Sequence, residues 1–292
     1  MTSLFLSEVM RMKFLVLGGN GYLGSKIVNE LSAQRHRVVA TKRANSNMDR
    51  IKAENVLWIP ANIEAIRTAM LYEKFDWILN MVCNYGRSSV LYDDCITANF
   101  KFPLEVLDTA TGFGVRNYLT IGTGLPDEFN MYTLSKNMFS KFGAFYADRH
   151  GINYTVIKLE MFYGADEPSD RFLPSIINKC IANEPLEVTA GTQHRDIIAI
   201  QDVVRAILHI INQGISGYCE VPVGTGEAPT IREIIEFIHT TAESKSDIRF
   251  GAVPMRPGEP DCVADITKLT EMGFSCQFNW KAGLREMIRE MT

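Results

Sequence analysis

The chain has 292 residues, 46% hydrophobic and 22% charged, with 30 basic against 34 acidic side chains and a formal net charge of −4. That length allows one large or two modest domains, and the apolar share is ample for a packed core, which excludes a disordered chain. A mildly acidic chain without a Lys/Arg-rich block excludes nucleic acid or an anionic membrane as the main partner. No run approaches the roughly 18 apolar residues of a membrane-spanning helix.

Residues 1–11 lack the basic start and apolar run of a secretory signal and read as an irregular extension. The six cysteines are scattered without a C-x-x-C pair, and the five histidines show no ligand spacing. This predicts reduced thiols in a cytoplasmic protein and no metal site.

Apolar runs at 14–17, 37–41, 56–59, 77–82, 117–121 and 154–158 read as strands. Helix-like segments fall at 25–31, 102–111 and 133–148. Strands that are apolar throughout and alternate with helices imply a parallel sheet covered on both faces. The predicted fold is a doubly wound α/β Rossmann domain over residues 12–163. Beyond Gly164 the pattern changes. Pro168, Pro174 and Pro185 interrupt the chain, and helices at 172–182, 203–212, 231–241 and 281–291 predominate. Residues 164–292 therefore read mainly as a smaller mixed lobe, with 193–213 as a stretch that can return to the first domain.

The loop Gly18-Gly19-Asn20-Gly21-Tyr22-Leu23-Gly24 follows the first strand and opens the first helix. Glycines there permit a tight turn and close approach of backbone to a pyrophosphate, at a helix N-terminus that offers free N–H groups. An ordinary turn is the plainer reading, and the placement after the first strand of an α/β domain favours nucleotide binding. An NAD-selective site places a carboxylate at the end of the second strand. Here that end reads Thr41-Lys42-Arg43, so NADP is expected, with Lys42 and Arg43 toward its 2′-phosphate and NAD as the alternative. Two solvated surface cations are the plainer reading. Asn62, with Ile63 beside it, is a candidate for the adenine or a loop cap.

Y-x-x-x-K occurs three times: Tyr22/Lys26, Tyr132/Lys136 and Tyr154/Lys158. On a strand, four residues span ~13 Å, which separates Tyr154 from Lys158. Tyr22 lies in the glycine loop. Only Tyr132 and Lys136 sit one helical turn apart, ~6 Å, after the fifth strand, with the hydroxyl of Thr123 upstream. Hydride addition to a carbonyl needs a proton donor. A phenol suits that task when a nearby cation lowers its pKa; Lys136 can supply that charge and hold the nicotinamide ribose, and Thr123 can orient the oxygen.

Taken together, these motifs resemble the extended short-chain dehydrogenase/reductase family, which acts mainly on nucleotide sugars. The resemblance implies that Asn99, in Ile96-Thr97-Ala98-Asn99-Phe100, is the family's central Asn. It also implies that Arg195, in His194-Arg195-Asp196, and Arg256, in Arg256-Pro257-Gly258-Glu259, contact the substrate diphosphate; structural salt bridges are the alternative for both. Residues 158–164 look like the entry to the substrate lobe. Cys83-Asn84-Tyr85-Gly86 and Lys158-Leu159-Glu160 are similar to CDP-sugar 4-ketoreductases, which implies NADPH-dependent reduction of a CDP-4-keto-3,6-dideoxyhexose. Tyr85, Glu160 and Phe162 are candidates for sugar contacts. Gly124 and Leu125 stand where 4,6-dehydratases carry Asp-Glu, which disfavours dehydration, although Asp127 and Glu128 lie close. A 4-epimerase and a non-catalytic NADP sensor remain as alternatives. Met138, Phe142, Phe145 and Tyr146, with Phe139 adjacent, fall near one helix face. Relatives pair this helix, so a homodimer is expected.

Overall fold

The computed structural model describes residues 11–86 and 92–292. The extension read over residues 1–11 lies outside that range apart from Arg11. The elements run β1 (Lys13–Leu17), α1 (Tyr22–Ala33), β2 (Arg37–Lys42), β3 (Val56–Pro60), α2 (Ile63–Tyr72), β4 (Trp77–Asn80) and α3 (Tyr92–Ile96). A π-helical turn (Thr97–Lys101) leads into α4 (Phe102–Gly112), β5 (Asn117–Ile121), α5 (Met131–His150) and β6 (Asn153–Leu159). Then come β7 (Met161–Tyr163), α6 (Phe172–Ile181), β8 (Leu186–Val188), β9 (Ile197–Ala199), α7 (Ile200–Gln213) and β10 (Tyr218–Val223). The chain closes with α8 (Ile231–Thr241), β11 (Ile248–Phe250), α9 (Thr267–Glu271) and α10 (Trp280–Met291).

Seven parallel strands form the main sheet in the order β10-β6-β5-β4-β1-β2-β3. Successive side chains of a strand point to opposite faces. Accordingly Phe14 and Val16 of β1 join one core with Ile27 and Leu31 of α1 and Ile207 and Ile210 of α7. Leu15 and Leu17 join the other, with Ile66 of α2, Val106 of α4 and Phe139 of α5. Both faces are covered, which explains why the strands are apolar throughout. A third core, built from α6, α8 and α10 around Ile177, Ile235 and Leu284, forms the smaller lobe. Two short parallel pairs, β7 with β9 and β8 with β11, belong to this second half.

Several boundaries differ from the sequence pattern for local reasons. The fourth strand ends at Asn80 rather than 82, because the Asn80 side chain accepts from the Val82 N–H and donates to Thr120 Oγ1 at 3.0 Å. α2 was not assigned from sequence; Asn62 is its N-cap, accepting from the Ala65 N–H at 2.9 Å. β10 brings residues from beyond Gly164 into the main sheet, and α7 covers it from the same side as α1.

Candidate active site

The glycine loop forms a cradle at the C-terminal edge of the sheet. Gly18 has φ +69°, where a side chain strains the backbone. A Cβ on Gly24 would collide with Gly18 O, and one on Gly19 would come 2.8 Å from the Ala40 Cβ. Gly21 caps α1 without any side-chain hydrogen bond, so the first-turn amides of Tyr22, Leu23 and Gly24 face outward unpaired. The carbonyl and hydroxyl of Thr41 hold the Gly19 and Gly18 amides at 3.2 and 2.9 Å, pinning the loop to the end of β2. These residues fit a dinucleotide pyrophosphate: the cradle is too narrow for side chains and lined with free donors.

Around it stand the other residues read as cofactor contacts. Lys42 is half-buried and Arg43 exposed at the end of β2, and neither side chain has an acidic partner among the described residues. Asn20 reaches the Asn47 carbonyl at 3.4 Å. Ile63 opens α2 and packs partly against the core. Tyr22 points from the loop toward the second lobe, where its ring stacks on Phe162 at 5.9 Å and its buried hydroxyl has no partner. Arg50, not singled out from sequence, lies 5.8 Å from the Tyr22 ring centroid and donates to the Asp166 carbonyl at 3.2 Å.

The capping box of α5 sets the geometry of the candidate site. Asn130 accepts from the Thr133 N–H and Thr133 Oγ1 from the Asn130 N–H, so the helix starts at Met131 and Tyr132 lies in its first turn. Thr123 stands just past β5, near enough to the Tyr132 phenol to influence its titration. One turn later, Lys136 is 2% exposed and donates to Val82 O at 2.7 Å and Ile121 O at 2.9 Å. Burial lowers the Lys136 pKa. Burial raises the phenol of Tyr132 well above its ordinary value, reinforced by Cys83 and Tyr85, while Thr123 and Arg171 pull the other way. The cation acting on the phenol is thus Arg171, while Lys136 is directed at two carbonyls.

Asn99 holds this arrangement together from the π-helical turn. Its amide oxygen accepts from the Asn84 N–H at 2.8 Å, and its nitrogen donates to Asn84 O at 2.8 Å and to Ser135 Oγ at 3.1 Å. One buried amide thereby ties the loop after β4 to the first turn of α5, which carries Tyr132.

On the substrate side, Tyr85 lies against Tyr132 with ring centroids 5.0 Å apart. Arg171, at the N-terminus of α6, sits 4.4 Å over the Tyr85 ring, donates to its hydroxyl at 3.3 Å and pairs with the buried Glu167 at 3.0 Å. Sequence patterning gave no sign of Arg171, whose partner Tyr85 is 86 positions away. Glu160, at the end of β6, lies beside Gly124; burial, then Asp196, push its carboxyl up to about 7 against the pull of Arg195. Arg195 is 7% exposed, and its guanidinium is engaged by Glu259 at 2.5 Å and by the carbonyls of His194 and Pro260 at 2.7 and 2.5 Å. That is the salt-bridge arrangement weighed for it. Arg256 is exposed on the loop before that partner. Asp127 is bound by Lys141 at 2.8 Å. No cluster suited to a metal ion occurs among the described residues.

Residues 14–220 match the NAD dependent epimerase/dehydratase family. The chain is 26% identical over 286 residues to CDP-abequose synthase of Salmonella muenchen, covering 94% of this chain and 97% of that protein. It is 23% identical to dTDP-4-dehydro-6-deoxy-D-allose reductase of a Streptomyces species, covering 94% of each. UDP-glucose 4-epimerase of Thermotoga maritima, solved with UDP-glucose, shares the fold with a TM-score of 0.86 at 18% identity, covering 95% of this chain and 98% of that one. The family match runs from β1 into β10 and so takes in the cradle, Thr123, Tyr132 and Lys136: the chain belongs to the NAD dependent epimerase/dehydratase family and is an oxidoreductase of the extended short-chain dehydrogenase/reductase type.

Proposed function

We propose that the protein reduces the 4-keto group of a nucleotide-activated deoxyhexose, of the CDP-4-keto-3,6-dideoxyhexose kind, with NADPH. The observation that carries this reading is that Tyr132 lies in the first turn of α5, one helical turn from the buried Lys136, whose ammonium donates to Val82 O beside Gly18 of the cradle. When bound, the nicotinamide cofactor supplies the hydride. Thr123 donates a hydrogen bond to the carbonyl oxygen and fixes its position. Tyr132 gives that oxygen its phenolic proton as negative charge develops, so one hydride and one proton convert C=O to CH–OH. Burial keeps the phenol protonated at neutral pH, the state a donor needs before reduction. Lys136 uses two of its three N–H groups on carbonyls, and we assign the third to the nicotinamide ribose.

Lys42 and Arg43, in place of a carboxylate at the end of β2, favour the 2′-phosphate of NADPH. The similarity to CDP-abequose synthase and to a dTDP-4-keto sugar reductase supports a keto sugar as substrate. The sugar subsite comprises Tyr85, Glu160 and Phe162, and Arg256 is the free guanidinium available for the diphosphate. All six cysteines are free thiols, which supports a cytoplasmic setting. No helix among the described residues is long and apolar enough to cross a membrane. We also infer a homodimer, because α5 leaves Met138 (40%), Phe142 (40%) and Phe145 (55%) exposed along one stripe, while Phe139 and Tyr146 pack into the core.

An assay of the purified protein tests the proposal. NADPH oxidation with a CDP-4-keto-dideoxyhexose is expected. Interconversion of a nucleotide sugar without net cofactor turnover would assign a 4-epimerase instead, and tight NADP binding without turnover a sensor.

A further inference from the structure

Glu160 has surroundings that the proton transfer does not use. Its N–H donates to Val223 O at 3.1 Å, which fixes the backbone between β6 and β10. Its side chain folds over Gly124: a Cβ on that glycine would run into Glu160 Oε1 and lie 2.9 Å from Cδ. The carboxylate therefore fills the side-chain space of the residue directly after Thr123. Among the described residues it accepts no hydrogen bond and forms no ion pair.

The ionisable groups bearing on it are Asp196 and Arg195, on the approach to β9, and Cys262. Asp196 is itself saturated by the N–H groups of Thr225, Gly226 and Ala264, and Arg195 by Glu259. Arg171, whose charge bears on Tyr132, is paired with Glu167. A half-buried carboxylate has given up part of its hydration, and no protein donor replaces it. A ligand in the cleft can bring those donors.

We propose that Glu160 determines sugar specificity: it accepts hydrogen bonds from ring hydroxyls of the sugar held at Thr123 and Tyr132, and its charge rejects sugars bearing a carboxylate. Gly124 belongs to the same device, since any side chain there would displace the carboxylate. The proposal rests on the nucleotide-sugar reading above. Burial and the neighbouring Asp196 charge push the Glu160 carboxyl up.

Calorimetric titration of the full chain with NADPH present tests it. The probes are CDP-glucose against CDP-glucuronate and UDP-glucose against UDP-glucuronate, each pair differing by one carboxylate. At pH 8 the neutral sugar is expected to bind at least about tenfold more tightly, a difference of about 1.4 kcal/mol. Glu160→Gln keeps shape and hydrogen bonding but removes the charge, and is expected to narrow that ratio to about threefold or less. The wild-type ratio is also expected to shrink at pH 6, as the carboxyl takes up a proton, which keeps the test independent of how the variant folds. Equal wild-type affinity for both members of a pair overturns the assignment of Glu160, as does a ratio that Glu160→Gln and pH 6 leave unchanged. Binding of neither pair by the wild type removes the nucleotide-sugar reading and the proposal with it.

Discussion

A phenol donor leaves a distinct kinetic signature. Tyr132→Phe is expected to lower turnover by about 10²–10⁴-fold while cofactor binding, followed by NADPH fluorescence, stays intact. Arg43→Ala is expected to raise the KM for NADPH about tenfold and to leave that for NADH nearly unchanged, since only the former carries a 2′-phosphate for the guanidinium to grip. For Glu160 the expectation concerns stability. Its carboxyl titrates near 7 in the folded chain against an ordinary 4.5, so in that window the folded state holds more protons than the unfolded one. Stability therefore falls as pH rises through the window. Glu160→Gln is expected to gain on the order of 2 kcal/mol relative to wild type at pH 8 compared with pH 4, measured by urea unfolding. The placing of Tyr132 and Lys136 one turn apart on α5 was legible in the sequence because their four-residue spacing matches a helical turn. Arg171 was not, because its contact with Tyr85 is made by two loops from different halves of the chain, and no local pattern encodes that meeting.

Caps and joints decide how the elements place those side chains. Asp202, fully buried in the first turn of α7, accepts from the Gln277 and Phe278 N–H groups at 2.9 and 3.0 Å and pairs with Arg205 at 2.6 Å. It fastens α7 to the segment entering α10. Asp202→Ala is expected to cost about 1–3 kcal/mol, because two backbone amides and a partly exposed guanidinium lose their buried acceptor; calorimetric unfolding measures it. Long helices such as α5 were legible from their periodicity. The π-helical turn at Asn99 was not, because one inserted residue alters hydrogen bonding without altering composition. β10 escaped notice because it is an edge strand carrying Pro222, a residue that argues against a strand when read in isolation.

Across the whole molecule, the stripe on α5 is the surface that association would cover. Sedimentation velocity at micromolar concentration is expected to give twice the mass of one chain, and Phe145→Asp to give single chains with unchanged circular dichroism. Single chains for the wild type would discard the dimer. The alternation of strands and helices made the doubly wound architecture legible, while the return of the chain into the first sheet was visible only as an ambiguous stretch. That return dictates an order of assembly. As the polypeptide leaves the ribosome, six of the seven main-sheet strands emerge before α7 and β10, and the share of the apolar sheet face that α7 covers lacks its helix until residue 213 is out. The nucleotide-binding half must therefore wait for translation of most of its neighbour, and a nascent chain stalled after residue 163 is a natural client for chaperones.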